Sequence, residues 1–234
     1  MNSQEAIEAL KDNKDINANQ FPILKAVANE VNKDSNSTIS KELVLRSLEN
    51  SQYFKETKSI LHSLVREVGL YPYLNDEYLS LKETIAYEYH RPNNLPDIVF
   101  HQEQLPIYRK LIEGKNIVLS APTSFGKSKI IDAIISDDIF QNIVIVVPTL
   151  ALIDETRRRF TKQFSSIYDI ISHPSQKAAN EKNIFIFTPE RVVNYKKDFP
   201  KINFFVIDEF YKIGGQNEED SRVIALNEAF YYLA

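Results

Sequence analysis

An apolar run over residues 117–120 leads into Ala121, Pro122, Thr123, Ser124, Phe125, Gly126, Lys127 and Ser128, and Ile130, Ile131, Ile134 and Ile135 follow. A short apolar run and then apolar residues at helical spacing predict a buried strand, a tight loop and a helix. At such a turn the backbone N–H groups converge, and the first helical turn adds unpaired donors and the positive end of the helix dipole. An oxyanion belongs there. Gly126 lets the backbone approach a phosphate, Lys127 reaches the β- and γ-phosphates of a nucleotide, and the Ser128 hydroxyl helps hold a magnesium ion. The candidate ATP contacts are therefore Thr123, Ser124, Phe125, Gly126, Lys127 and Ser128, with Ala121 standing where the general pattern has its first glycine.

A second landmark lies downstream. The apolar run 204–207 delivers two adjacent carboxylates, Asp208 and Glu209, at its carboxyl end. Asp208 would hold the magnesium ion, and Glu209 would orient and deprotonate an attacking water. Neighbouring residues on an extended strand point opposite ways, which suits two separate jobs. By itself the pair also fits a solvated acidic turn after a core strand; the phosphate loop upstream favours the catalytic reading.

These landmarks sit in a region where helices alternate with short, continuously apolar strands, the pattern of a parallel sheet covered on both faces. Strands are expected at 117–120, 143–147, 168–171, 184–187 and 204–207, and helices at 101–113 and 221–233. Residues 1–91 read differently, as capped amphipathic helices without strand-like alternation. Ser3 is expected to cap the first, Phe21 and Pro22 to open another, and Ser37 or Thr38 a third. Longer helices are expected at 52–68, ending on Gly69, and at 76–88. The tyrosines at 71, 73, 78, 87 and 89 have the faces to stack nucleic-acid bases but are expected to pack this helical domain. Residues 92–97, with two prolines, break the helical period and are expected to link a helical accessory domain, 1–91, to an α/β lobe, 98–234.

The form A-P-T-x-x-G-K-[ST] resembles motif I of superfamily 2 DEAD/DEAH-like helicases, with Ser124 in place of a glycine. Asp208 and Glu209 resemble motif II, although Phe210 and Tyr211 replace the family's Ala-Asp or x-His. Pro148 and Thr149, after the strand 143–147, look like motif Ia. Thr188, Pro189, Glu190 and Arg191, after the strand 184–187, look like motif Ib. The resemblance covers about residues 100–213. It implies a RecA-like first motor lobe that uses ATP and Mg2+, with Thr149, Thr188 and Arg191 gripping the backbone of one nucleic-acid strand. It also implies an adenine-reading glutamine, for which Gln104 is the candidate. The second lobe with its arginine finger is expected to be absent from this chain, so the chain by itself should hydrolyse ATP slowly. The helical N-terminal region and the Asp-Glu-Phe-Tyr-Lys form of motif II are similar to bacterial helicases of antiphage defence, such as the helicase subunit of Hachiman systems.

Composition bounds these readings. The 234 residues carry a net charge of −4, so no overall basic field draws in nucleic acid and any such site must be local. The absence of cysteine excludes disulfides and thiolate metal sites. His62, His90, His101 and His173 are too scattered to predict a metal centre. No apolar run approaches the ~20 residues of a membrane span, and the polar start has no signal-peptide segment, so no membrane association and a cytoplasmic location are expected. Two other functions stay open: a phosphate-loop kinase acting on a small molecule, and a non-catalytic module holding a partner protein through its helical domain.

Overall fold

Capping chemistry decides where the N-terminal helices begin. The computed structural model describes residues 1–11, 13–74, 79–179, 181–214 and 221–234, in two compact units, Met1–Ile134 and Ile135–Ala234. In the first unit, α1 (Ser3–Ala9) starts one residue earlier than expected, on Asn2. Glu5 lies three residues on, so the two side chains cap each other's backbone: the Glu5 N–H donates to Asn2 at 2.8 Å and the Asn2 N–H to Glu5 at 2.9 Å. α2 (Asn13–Lys33) breaks at Asn19, whose φ of −129° is not helical, and Pro22 falls in the turn that restarts, where no N–H is needed. Ser37 caps α3 (Thr38–Glu49), as expected.

The helix expected over 52–68 is shorter. Two 3₁₀ turns, Ser51–Tyr53 and Lys55–Thr57, precede α4 (Lys58–Glu67). Between them Phe54 is fully buried, and its backbone leaves the helical region (φ −103°, ψ 27°). Burying that ring outweighs continuing the helix. α4 ends on Gly69, φ +72°, where the N–H groups of Gly69 and Leu70 donate to Arg66 and Val65. α5 (Leu81–Tyr89) begins at a second reciprocal cap, Ser80 with Glu83; the earlier start expected at 76 lies outside the described residues. Tyr71 and Tyr87 pack on the helical core, Tyr73 and Tyr89 are about half exposed, and Tyr78 is not among the described residues.

Two imidazoles, His62 and His90, are buried in this unit. Burial holds both, and His101, below the ordinary imidazole range, with Lys129 adding to the effect at His101. The folded unit therefore keeps them neutral while the unfolded chain protonates them at about pH 6.5. The unfolded state then binds more protons, so stability falls as pH drops through that value, by at most about 1.4 kcal/mol per pH unit for each histidine. Melting curves at pH 7.5, 6.5 and 5.5 should show a falling midpoint; a flat midpoint would contradict it.

The helix α6 (Gln104–Ile112) ends on Gly114, φ +78°. Residues 117–120, expected as a strand, do not form one. An apolar run becomes a strand only when a neighbour takes its N–H and C=O groups. This run has no ladder partner among the described residues, and Val118 is 81% exposed. α7 (Lys127–Ser136) follows the loop and buries Ile130, Ala133 and Ile134.

In the second unit β1 (Asn142–Val146), β2 (Asp169–Ile171), β3 (Asn183–Phe187) and β4 (Phe204–Ile207) form one parallel sheet in the order β2-β3-β1-β4. β1 and β3 are buried at every position, as the apolar run that follows the leading asparagine of each requires. α8 (Leu150–Phe164) connects β1 to β2 and α9 (Pro189–Tyr195) connects β3 to β4, while α10 (Ser221–Leu233) follows β4. Phe185, Phe187, Tyr195 and Phe199 make an aromatic cluster against one sheet face. Asparagines pin the amino ends of the strands: the Asn142 N–H donates to Asn203, and the Asn183 amide to the Asn142 amide oxygen, both at 2.9 Å. The parallel α/β sheet with a preceding helical region is the RecA-like class expected from the sequence. Among the described residues no helix is long and apolar enough to cross a membrane.

Candidate functional site

The phosphate-loop candidate lies in the first unit. Pro122 is extended (φ −61°, ψ 163°), Thr123–Phe125 form one 3₁₀ turn, and Gly126 takes the left-handed conformation (φ 78°, ψ 36°) before α7 begins. Gly126 is the loop residue for which only glycine fits without strain. Ala121 and Ser124, at places where related motifs carry glycine, are not among the positive-φ residues, so a side chain there costs the backbone nothing. Ser124 and Ser128 are exposed.

Lys127 turns back on its own loop, its ammonium donating to the Ala121 carbonyl at 3.1 Å. The described contact of this cation is thus a neutral carbonyl, with no carboxylate paired to it among the described residues. A phosphate oxygen would make a shorter and stronger charge-assisted bond. The donor set therefore suits a phosphate chain: one mobile ammonium, an exposed serine hydroxyl and the start of a ten-residue helix.

Gln104, expected to read adenine, is placed differently. It is 1% exposed. Its amide oxygen accepts the His101 N–H at 2.8 Å, and its amide nitrogen donates to the Phe125 carbonyl at 2.6 Å. A Cβ on Gly126 would lie 2.7 Å from that nitrogen.

The other candidates lie in the second unit, along one edge of the sheet. Val146 is level with Phe187 on one side and Ile207 on the other. The ladder extends one step further, the Val147 N–H donating to Phe187 and the Asp208 N–H to Val146, each at 2.9 Å. Three segments thus leave the sheet from one level, at the carboxyl ends of β3, β1 and β4, where ligands bind in open α/β sheets. They carry Thr188, Thr149, and Asp208 with Glu209.

Thr149 is exposed and caps α8, its hydroxyl accepting the Leu152 N–H at 3.3 Å. Thr188 starts α9 with Pro189 as its first residue, but makes no side-chain cap bond and is 7% exposed. Its hydroxyl is therefore not presented to solvent as the expected strand contact would require. Arg191 donates to the Ser172 carbonyl at 2.6 Å, which uses one of its five N–H donors. On α8, Arg157 pairs with Asp154, and Arg159 lies over the fully buried Phe160.

Asp208 is exposed and accepts the N–H of Glu209 at 2.9 Å. Glu209 has a left-handed backbone, φ 54°, which sequence reasoning had placed on an extended strand. A non-glycine residue there is under strain of about 1 kcal/mol. Phe210, which replaces a small residue of the related motif, packs its ring on Phe230 of α10 at 5.0 Å. That contact was not legible from the motif. Among the described residues no group of three or more His, Cys, Asp or Glu gathers to hold a metal by itself.

Comparison with known proteins adds two family matches. The DEAD/DEAH box helicase model matches residues 101–228, and the model of the anti-bacteriophage protein B N-terminal domain matches residues 1–84. Anti-bacteriophage protein B of Escherichia coli (strain K12) is 40% identical over 218 residues, covering 89% of this chain and 29% of that protein. The chain thus spans under a third of the length of this relative. No solved structure matches.

Proposed function

The chain belongs to the DEAD/DEAH box helicase family, and from that premise we propose that it is the N-terminal part of an ATP-dependent nucleic-acid motor acting in defence against bacteriophage. The observation that carries the motor reading is the common level of the three segments at the carboxyl ends of β3, β1 and β4. In this reading nucleotide chemistry and strand contact share one end of the sheet, with Asp208 and Glu209 after β4, Thr149 after β1 and Arg191 in the helix after β3.

In this reading the loop N–H groups and Lys127 hold the phosphates of ATP, and Ser128 and Asp208 hold magnesium. Bound magnesium supplies positive charge that neutralises the phosphate oxygens. Glu209 positions a water and takes its proton. Thr149 and the remaining donors of Arg191 contact phosphates of one strand, while Thr188 sets the start of α9. Backbone contacts of this kind do not report on the 2′-hydroxyl, so they suit either DNA or RNA. The two family matches fall on either side of residues 92–97, which supports 1–91 as an accessory domain and 98–234 as the first motor lobe. α5 in the accessory domain leaves Leu81, Ile85 and Tyr89 exposed at helical spacing, a surface suited to a partner protein. The defence role follows the likeness to anti-bacteriophage protein B, and a cytoplasmic site of action goes with the helicase reading.

ATP hydrolysis by the full-length protein, measured at fixed low salt with single-stranded DNA, duplex DNA or RNA, tests the motor reading. Stimulation by one polymer is the expected result. Turnover indifferent to all three would point to a small-molecule kinase, and no turnover to a binding module.

A further inference from the structure

The amide of Gln104 is spent on the chain's own backbone. Its oxygen takes the His101 N–H and its nitrogen the Phe125 carbonyl, and the residue is 1% exposed. A glutamine amide has one more lone pair and one more N–H than these two bonds use, but a group so enclosed cannot turn toward a base without giving up both. What it touches is informative. Phe125 is the last residue of the loop's 3₁₀ turn, and its carbonyl immediately precedes Gly126, the residue in the left-handed conformation. The orientation of the Phe125–Gly126 peptide decides where the Gly126 N–H points, and a bond to the carbonyl of that peptide fixes it. The amide nitrogen also occupies the space that a Cβ on residue 126 would need. Glycine is thus favoured here by its φ, and a Cβ would displace the Gln104 amide.

We propose that Gln104 is a positioning residue of the phosphate loop, holding the Phe125–Gly126 peptide so that its N–H faces the phosphates, and that it does not read adenine. This rests on the reading of the loop as a triphosphate site. Adenine recognition and loop positioning differ in what they do to a ligand without a base. A positioning residue serves ATP, GTP and inorganic tripolyphosphate alike, because all three present the same phosphates.

The test is binding of ATP, GTP and tripolyphosphate, each with magnesium, to the full chain and to Gln104→Met, which keeps the volume and removes both polar groups without adding charge. Gln104→Asn, which keeps both groups on a shorter arm, serves where the first variant folds poorly. The expected result is a loss of roughly tenfold for all three ligands, from one neutral hydrogen bond and the loop order it maintains. A variant whose ligand-free melting point matches the wild type's makes that loss one of positioning rather than of folding. Loss confined to ATP would overturn the proposal and restore the adenine reader, and unchanged binding of all three would overturn it as well. Failure of the wild-type chain to bind either ATP or tripolyphosphate would overturn the triphosphate site itself, and the proposal with it.

Discussion

Lys127→Ala removes Mg-ATP binding while the protein stays folded. The ammonium's described contact is the Ala121 carbonyl, in a partly exposed loop, so its loss changes stability within about 0.5 kcal/mol. With nucleotide bound, the same ammonium exchanges a neutral carbonyl for phosphate oxygens. Charged hydrogen bonds contribute roughly 1.5–3 kcal/mol each, so losing two of them weakens affinity by about a hundredfold or more. Titration calorimetry reads the affinity and a thermal melt reads the fold. Unchanged affinity would show that the loop is not the nucleotide site.

The second large effect separates binding from chemistry. Glu209→Gln keeps the shape of the side chain and removes its ability to take a proton. Hydrolysis by the full-length protein should fall on the order of 10²- to 10⁴-fold, the usual contribution of a positioned base. Mg-ATP affinity should change little, because Asp208 and the loop are intact. Single-turnover measurements on pre-bound ATP distinguish the two effects. A parallel loss of affinity would place Glu209 among the binding groups instead.

How much of this could be read from the sequence depended on what each feature requires. β1, β3 and β4 were legible because residues 143–147, 184–187 and 204–207 are continuously apolar, the pattern of strands in a covered parallel sheet, although only β1 and β3 are buried along their whole length. The loop was legible because glycine, lysine and a hydroxyl in that order follow an apolar run for few other reasons. Residues 117–120 show the limit of the same rule: apolar character permits a strand, but only a neighbouring ladder makes one. Phe54 shows another, since the helical pattern around it gives no hint that its ring enters the core and interrupts the helix. Gln104 was found by position, but the contacts its amide makes within the chain were not foreseen. A glutamine can donate and accept in any surrounding, and its sequence neighbours do not say that the carbonyl of Phe125 lies within reach.

The left-handed backbone at Glu209 has an evolutionary consequence. Glycine would occupy that conformation without strain, and asparagine with less of it than glutamate. Selection for folding alone therefore pushes this position away from a carboxylate, and in the role proposed for Glu209 the chemistry is what keeps it. A lineage in which the lobe survived as scaffold after losing its reaction should drift to glycine or asparagine here before its core strands change. Under the proposed function, the residue at position 209 would mark whether a relative of this chain keeps the base.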